Sequence, residues 1–214
     1  MNVFDERRNI ISLYSYPKSQ DGATAAIILA ELKLPYDLHL INTPNEIPNE
    51  ILSESHKCLP VLTDFDQAGR RVSIRGVEPI ASYLIVQDHE EQLSRGGVDI
   101  EEMKYWLSFL SHEFPDARKG KGTGTAHTDN TVRRALHLYL HLEDHLHRSE
   151  WGYLVGKRCT LADLIHFPCV AAAGSLGLDI ERFPELTAWF NRISQHGAVV
   201  NGMAAVQLNV DVYS

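Results

Sequence analysis

The apolar pattern of this chain changes period near residue 100, and that switch excludes most architectures at once. Before it, short strand-like runs alternate with helical ones. Ile10 to Tyr14 reads as a strand, Ala23 to Leu32 as an alanine-rich apolar helix and Tyr36 to Ile41 as a second strand, a β-α-β unit. A polar stretch with Pro44 and Pro48 leads to Val61-Leu62-Thr63, a turn at Asp66-Gln67-Ala68-Gly69, a strand at Arg71 to Ile74 and a helix from Glu78 to Val86. From Ile100 onward the apolar residues keep helical spacing, as at Met103, Trp106, Leu107 and Leu110, and no strand pattern returns. The spacing predicts an α/β domain over residues 1–88 and an all-α domain over 98–214, joined by the acidic stretch that contains Gly96-Gly97.

Within the α/β half, Leu59-Pro60-Val61 is where a ligand is expected. A proline at the start of a strand removes one ladder donor, so it predicts a sheet edge left open for something else. Bulk composition narrows the partners. With 28 acidic against 20 basic side chains the net charge is −8, which argues against nucleic acid or an acidic membrane surface. No run approaches the roughly 18 apolar residues of a membrane span, and the first residues lack an apolar signal core. Three widely spaced cysteines form no disulfide framework. A cytoplasmic protein is expected.

Four segments then stand out together: Leu13-Tyr14-Ser15-Tyr16-Pro17-Lys18-Ser19, Leu34-Pro35-Tyr36, Lys57-Cys58-Leu59-Pro60-Val61-Leu62, and Tyr153-Leu154-Val155-Gly156 followed by Thr160 to Pro168. In this combination the whole chain resembles a glutathione S-transferase, nearest to the phi class and its fungal relatives. The resemblance implies a thioredoxin-like N-terminal domain followed by an all-helical one, a homodimer, and glutathione as the cofactor. In the fourth segment Thr160 and Asp163 stand three apart ahead of Leu164, Ile165 and Phe167, the arrangement of a capping box with Asp in place of Glu. The threonine hydroxyl is expected to accept from the Asp163 amide while the carboxylate reaches back. That site concerns folding.

The resemblance places the chemistry elsewhere. Ser19 falls where phi-class enzymes carry a catalytic serine, at a helix N-terminus whose dipole lowers a thiol pKa, with Tyr16 and Ser15 as rivals. Leu59, ahead of Pro60, is expected to pair its main chain with the cysteinyl part of glutathione. The polar cradle departs from the family. Aligning Ile80 and Tyr83-Leu84 puts Gly76 and Val77 where a Glu-Ser pair would bind the γ-glutamyl end, and valine offers no hydroxyl. The positions of a carboxylate-binding histidine and lysine fall on Asn45 and Glu46, and Cys58 stands where a glutamine is usual. Losing several charge-assisted contacts at about 1.5–3 kcal/mol each weakens such a site severely.

The first reading is therefore a transferase-fold enzyme acting on a hydrophobic small molecule as an isomerase, lyase or cyclase, in secondary metabolism, with glutathione binding weakened or absent. His56, Tyr105, Phe109 and His112 are the further pocket candidates, and His112 is the acid or base. Tyr105, Phe109 and His112 share one helix face. A second reading keeps a conventional glutathione transferase or glutathione-dependent isomerase, its cradle rebuilt from Lys57, Arg75 and Glu78. A third is a non-catalytic binding or regulatory protein on the same fold.

Other patterns point away from chemistry. His137, His141 and His145 repeat every four residues but read as a solvated or interface stripe, and no metal site is expected. Gly120-Lys121-Gly122-Thr123-Gly124-Thr125 lacks P-loop spacing and reads as an interhelical loop over the pocket. Cys159 and Cys169 read as packing residues.

Overall fold

A computed structural model describes residues 10–48, 51, 59–66, 68–87, 100–113 and 125–209. Strand β1 (Ile11–Ser15) is followed by helix α1 (Gln20–Glu31), β2 (Tyr36–Leu40), a 3-10 turn (Pro44–Glu46), β3 (Val61–Phe65), β4 (Arg71–Arg75) and α2 (Val77–Gln87). Five more helices follow: α3 (Ile100–Glu113), α4 (Thr125–Arg148), α5 (Leu161–Ala171), α6 (Pro184–Ile193) and α7 (Gly197–Ala205). Every predicted strand in the first half is present, and no described residue after Arg75 is in a strand. Among the described residues no helix is long and apolar enough to cross a membrane.

The sheet runs β2-β1-β3-β4, with β1 parallel to β2 and antiparallel to β3. This corrects the expectation drawn from Pro60. β3 is an interior strand, its Val61 opposite Tyr14 on one side and Arg75 on the other, and the edges are β2 and β4. Pro60 is tolerated because it precedes the ladder: pairing with β1 ends at Val61, and the Pro60 carbonyl accepts from the Gly76 amide at 3.0 Å. Leu59, the residue before Pro60, is buried.

Helix α1 is apolar because it is buried from Gly22 to Leu29. It is held at both ends by local chemistry. Ser19 caps the start, its hydroxyl accepting from the Gly22 amide at 3.1 Å. At the other end Lys33 takes φ 56, the Lys33 amide donates to the Ala30 carbonyl and the Leu34 amide to the Leu29 carbonyl, a Schellman turn. One face of α1 meets α7 so closely that a Cβ on Gly202 would sit 2.6 Å from the Ile27 backbone nitrogen. Only glycine fits there. Leu13, Ile27 and Ile80 thereby join Trp106, Leu164, Trp189 and Val199 in one core that spans both halves of the chain.

Asp163 is more than a cap. Its carboxylate accepts from the Thr160 amide (2.9 Å), the Thr160 hydroxyl (3.1 Å), the Leu154 amide (2.9 Å) and the Trp189 indole (2.8 Å). The reciprocal capping box is present as expected, and the threonine hydroxyl in addition donates its own proton to the carboxylate. Burial pushes the carboxyl up from its ordinary value while the four donors oppose that shift. The segment before α5, α5 itself and α6 are pinned at one buried point.

Candidate functional site

The Leu59–Pro60 peptide bond is cis, and around it lies a small apolar cluster of Tyr14, Ile41, Ile47, Ile51, Leu59 and Val61. Tyr16 packs against this cluster, so β1, its following loop and the residue before Pro60 form one neighbourhood. The Ser15 carbonyl accepts from the Ile41 amide at 2.9 Å, which sets where the loop leaves the sheet. The Ser15 side chain is fully buried and donates to the Tyr16 carbonyl at 3.0 Å. It presses on Gly22, where a Cβ would come within 1.8 Å of its hydroxyl oxygen. Ser15 is therefore built into the junction between β1 and α1.

Ser19 is half-buried at the tip of α1. Accepting the Gly22 amide proton uses an oxygen lone pair and leaves the hydroxyl proton to be donated, so capping and stabilisation of a bound thiolate are compatible roles. Lys18, just before it, adopts φ 58, and its amide donates to the Val206 carbonyl at 2.7 Å.

On the opposite side of Pro60, Gly76 is buried with φ 85 and Val77 opens α2, half-buried. The helix N-terminus is in place. The side chain brought to it is a valine, with no hydroxyl or carboxylate. Glu78 is exposed and lines a groove of about 480 Å³ between α2 and α3 with Ser82, Glu101, Lys104, Tyr105, Leu107 and Ser108. Arg75 donates to the Ile51 carbonyl, on the Leu59 side of the sheet. Glu46 has a local occupation: its carboxylate accepts from the Asn42 amide at 2.9 Å and the Thr43 hydroxyl at 3.1 Å, and the backbone bond holds it below the usual carboxylate range. His56, Lys57 and Cys58 lie outside the described residues, as does the loop at Gly120 to Gly124.

The helical half concentrates its aromatic and imidazole rings between α3, α4 and α5. Phe109 stacks on His141 with centroids 4.4 Å apart, and the Tyr105 hydroxyl lies 3.1 Å from His141 Nε2. Trp106, fully buried, packs edge-on against His145 at 4.8 Å and His166 at 5.3 Å. The stripe of α4 histidines is thus corrected: His137 is exposed, but His141 and His145 are half-buried ring partners, and His145 Nε2 lies 2.8 Å from the Leu154 carbonyl. Burial, then the neighbouring His145 and His137, lowers the His141 pKa. Tyr105 and Phe109 come together as expected, and they meet this histidine. Of His112, only its place in the last turn of α3 is described.

His166 is the residue sequence reasoning missed. It is fully buried, its Nδ1 is 2.7 Å from the Ala162 carbonyl and therefore carries the proton, and Nε2 has no hydrogen-bond partner among the described residues. Burial brings this imidazole down to about 4. A signal existed: His166 sits between Ile165 and Phe167 in a helix with no polar face, so the ring had to be inside. Burial also raises the Cys159 thiol and takes that of Cys169 up to about 12, which suits packing rather than nucleophilic roles. Among the described residues no three His, Cys, Asp or Glu side chains converge in a way that could hold a metal ion.

Residues 98–196 match the family model for the glutathione S-transferase C-terminal domain. Glutathione S-transferase Y-2 of Pichia kudriavzevii is 27% identical over 127 residues, 57% of this chain and 64% of that protein. Glutathione S-transferase A of Pleuronectes platessa is 35% identical over 91 residues, 42% of this chain and 39% of that protein. The matched part thus spans less than two thirds of either relative. A solved glutathione transferase family member from Pseudomonas fluorescens, with two glutathione bound, superposes with a TM-score of 0.70 at 23% identity, covering 94% of this chain and 95% of that one. At that identity the likeness shows the fold.

Proposed function

We propose that this chain is a cytoplasmic, homodimeric enzyme of the glutathione S-transferase fold that acts on a hydrophobic small molecule and holds glutathione weakly or not at all, a reading supported by the match of residues 98–196 to the family's C-terminal domain model and by the likeness to a solved transferase. The chemistry proposed is that of an isomerase, lyase or cyclase. The observation that carries the reading is the start of α2: Gly76 and Val77 put no hydroxyl or carboxylate at the helix N-terminus where the superfamily's γ-glutamyl end would sit. The backbone half of the site is retained, with Leu59 beside the cis proline and Ser19 at the tip of α1. Tyr16 on the apolar cluster around Leu59 offers a guest carbon surface rather than charge. Ser19 would hold a thiolate or polarise a substrate oxygen by donating its hydroxyl proton, and Tyr16 would supply a second hydroxyl.

A second reading, a conventional glutathione transferase, is favoured by one finding: the solved Pseudomonas fluorescens neighbour carries glutathione. Calorimetric titration with reduced glutathione separates the two. The proposal expects a dissociation constant of about 1 mM or weaker, and a value below about 0.1 mM overturns it in favour of the second reading.

A further inference from the structure

Helix α7 ends in a turn that reaches across to the loop between β1 and α1. Gln207 stands at φ 62 directly after the helix. Its amide donates to the Ala204 carbonyl at 3.0 Å, and the Leu208 amide donates to the Met203 carbonyl at 2.9 Å. This is a Schellman turn built on glutamine, where glycine is usual. The carbonyl at its cap, that of Val206, accepts from the Lys18 amide at 2.7 Å. Lys18 is itself left-handed, at φ 58. Two non-glycine residues in the left-handed region thus stand on either side of a single hydrogen bond, an arrangement that persists only where the surroundings hold it.

The surroundings do hold it. Val206 is fully buried, and α7 is fixed against α1 by the close approach of Gly202 to the Ile27 backbone. Among the described residues the bond to Val206 is the one backbone–backbone hydrogen bond made by residues 16–18 to another segment of the chain. Before it the loop is anchored through the Ser15 carbonyl to β2's end, and after it Ser19 belongs to α1.

We propose that the turn at Val206 and Gln207 is a positioning clamp for the ligand site. By setting the Lys18 amide it sets Tyr16 against the apolar cluster around Leu59 and Ser19 at the tip of α1, so that a turn in the helical half controls affinity at a site in the α/β half. Val206 and Gln207 are positioning residues and touch no ligand. The inference rests on the reading of the Tyr16 to Ser19 loop as part of a glutathione-binding groove. By linkage the coupling is reciprocal, and a ligand in the groove protects the turn.

Amide hydrogen exchange on the full chain tests this, with Gln207→Val, Gln207→Gly and the wild type, each with and without reduced glutathione. The Gln207 side chain is exposed, so neither substitution empties the core. A branched Cβ resists the left-handed conformation and glycine adopts it freely. Peptides covering residues 16–22 are expected to exchange about ten-fold faster in Gln207→Val, with α5 unchanged, and at wild-type rates in Gln207→Gly. Reduced glutathione is expected to bind Gln207→Val about five-fold more weakly than Gln207→Gly. Unchanged exchange at residues 16–22 in Gln207→Val overturns the clamp. So does an equal rise across α5 and α6, which would make Gln207 a determinant of overall stability. A wild-type dissociation constant below about 0.1 mM overturns the functional reading, while the exchange result still decides the clamp.

Discussion

Two helix starts in this protein face the same physical problem and solve it in opposite ways. At α5 the Asp163 carboxylate takes the Thr160 amide and hydroxyl, the Leu154 amide and the Trp189 indole, all inside the core. At α2 the chain offers Gly76 and Val77, and the nearest acid, Glu78, is exposed. Four unpaired amides begin every helix. Where the protein supplies its own acceptor the helix end serves folding. Where it supplies a valine, the helix start has no hydroxyl or carboxylate of its own to act as a cap.

Removing the acceptor at α5 gives the largest effect. Asp163→Ala leaves several buried donors without partners, and equilibrium urea unfolding is expected to show a loss of about 4 kcal/mol or no soluble protein. A loss under about 1 kcal/mol would erase the contrast between the two helix starts. Asp163→Asn is expected to cost less, because it keeps an acceptor for the indole.

The next effect comes from His166 on the same self-sufficient helix. Its folded pKa, about 4, lies below the value near 6.5 of an unfolded imidazole. As pH falls through 6.5 the unfolded state takes up the proton first, so this group lowers stability between pH 6.5 and pH 4, by about 3 kcal/mol at most. Urea midpoints measured across that window are expected to fall in the wild type and to flatten in His166→Gln. Identical pH profiles would show that the buried imidazole does not titrate as its surroundings demand.

Smaller changes sharpen the open end. Val77→Ser adds the missing hydroxyl at α2, and calorimetry is expected to show glutathione bound about five-fold more tightly, roughly 1 kcal/mol. No gain would mean that the γ-glutamyl end is not bound there. Ser19→Ala removes the α1 cap and is expected to cost about 1 kcal/mol in urea unfolding. Turnover should fall further than that loss of stability explains, and unchanged turnover would reduce Ser19 to a cap.

Much of this was legible in the residue order. The strands and helices of the first half announce themselves through their periods, and Thr160 with Asp163 marks a buried helix start, because local spacing alone decides both. The place of β3 inside the sheet did not follow. A proline one residue before a ladder looks, in sequence, like a proline within an edge strand. The His141 and His145 rings were misplaced for a related reason: an i, i+4 repeat gives a helix face but not what covers it. Trp106 and Phe109 on another helix supply that cover.

By itself, then, the sequence determined the α/β-then-helical order and the capped starts of α1 and α5. Each of these depends on residues within a few positions of one another, where backbone geometry leaves little choice. Only the tertiary structure decided that Gly202 lies on Ile27, that Asp163 gathers donors from three segments, and that the Val206 carbonyl holds the Lys18 amide. Those contacts join residues far apart along the chain, and no local pattern encodes which distant partner fills a close approach or completes a buried hydrogen bond.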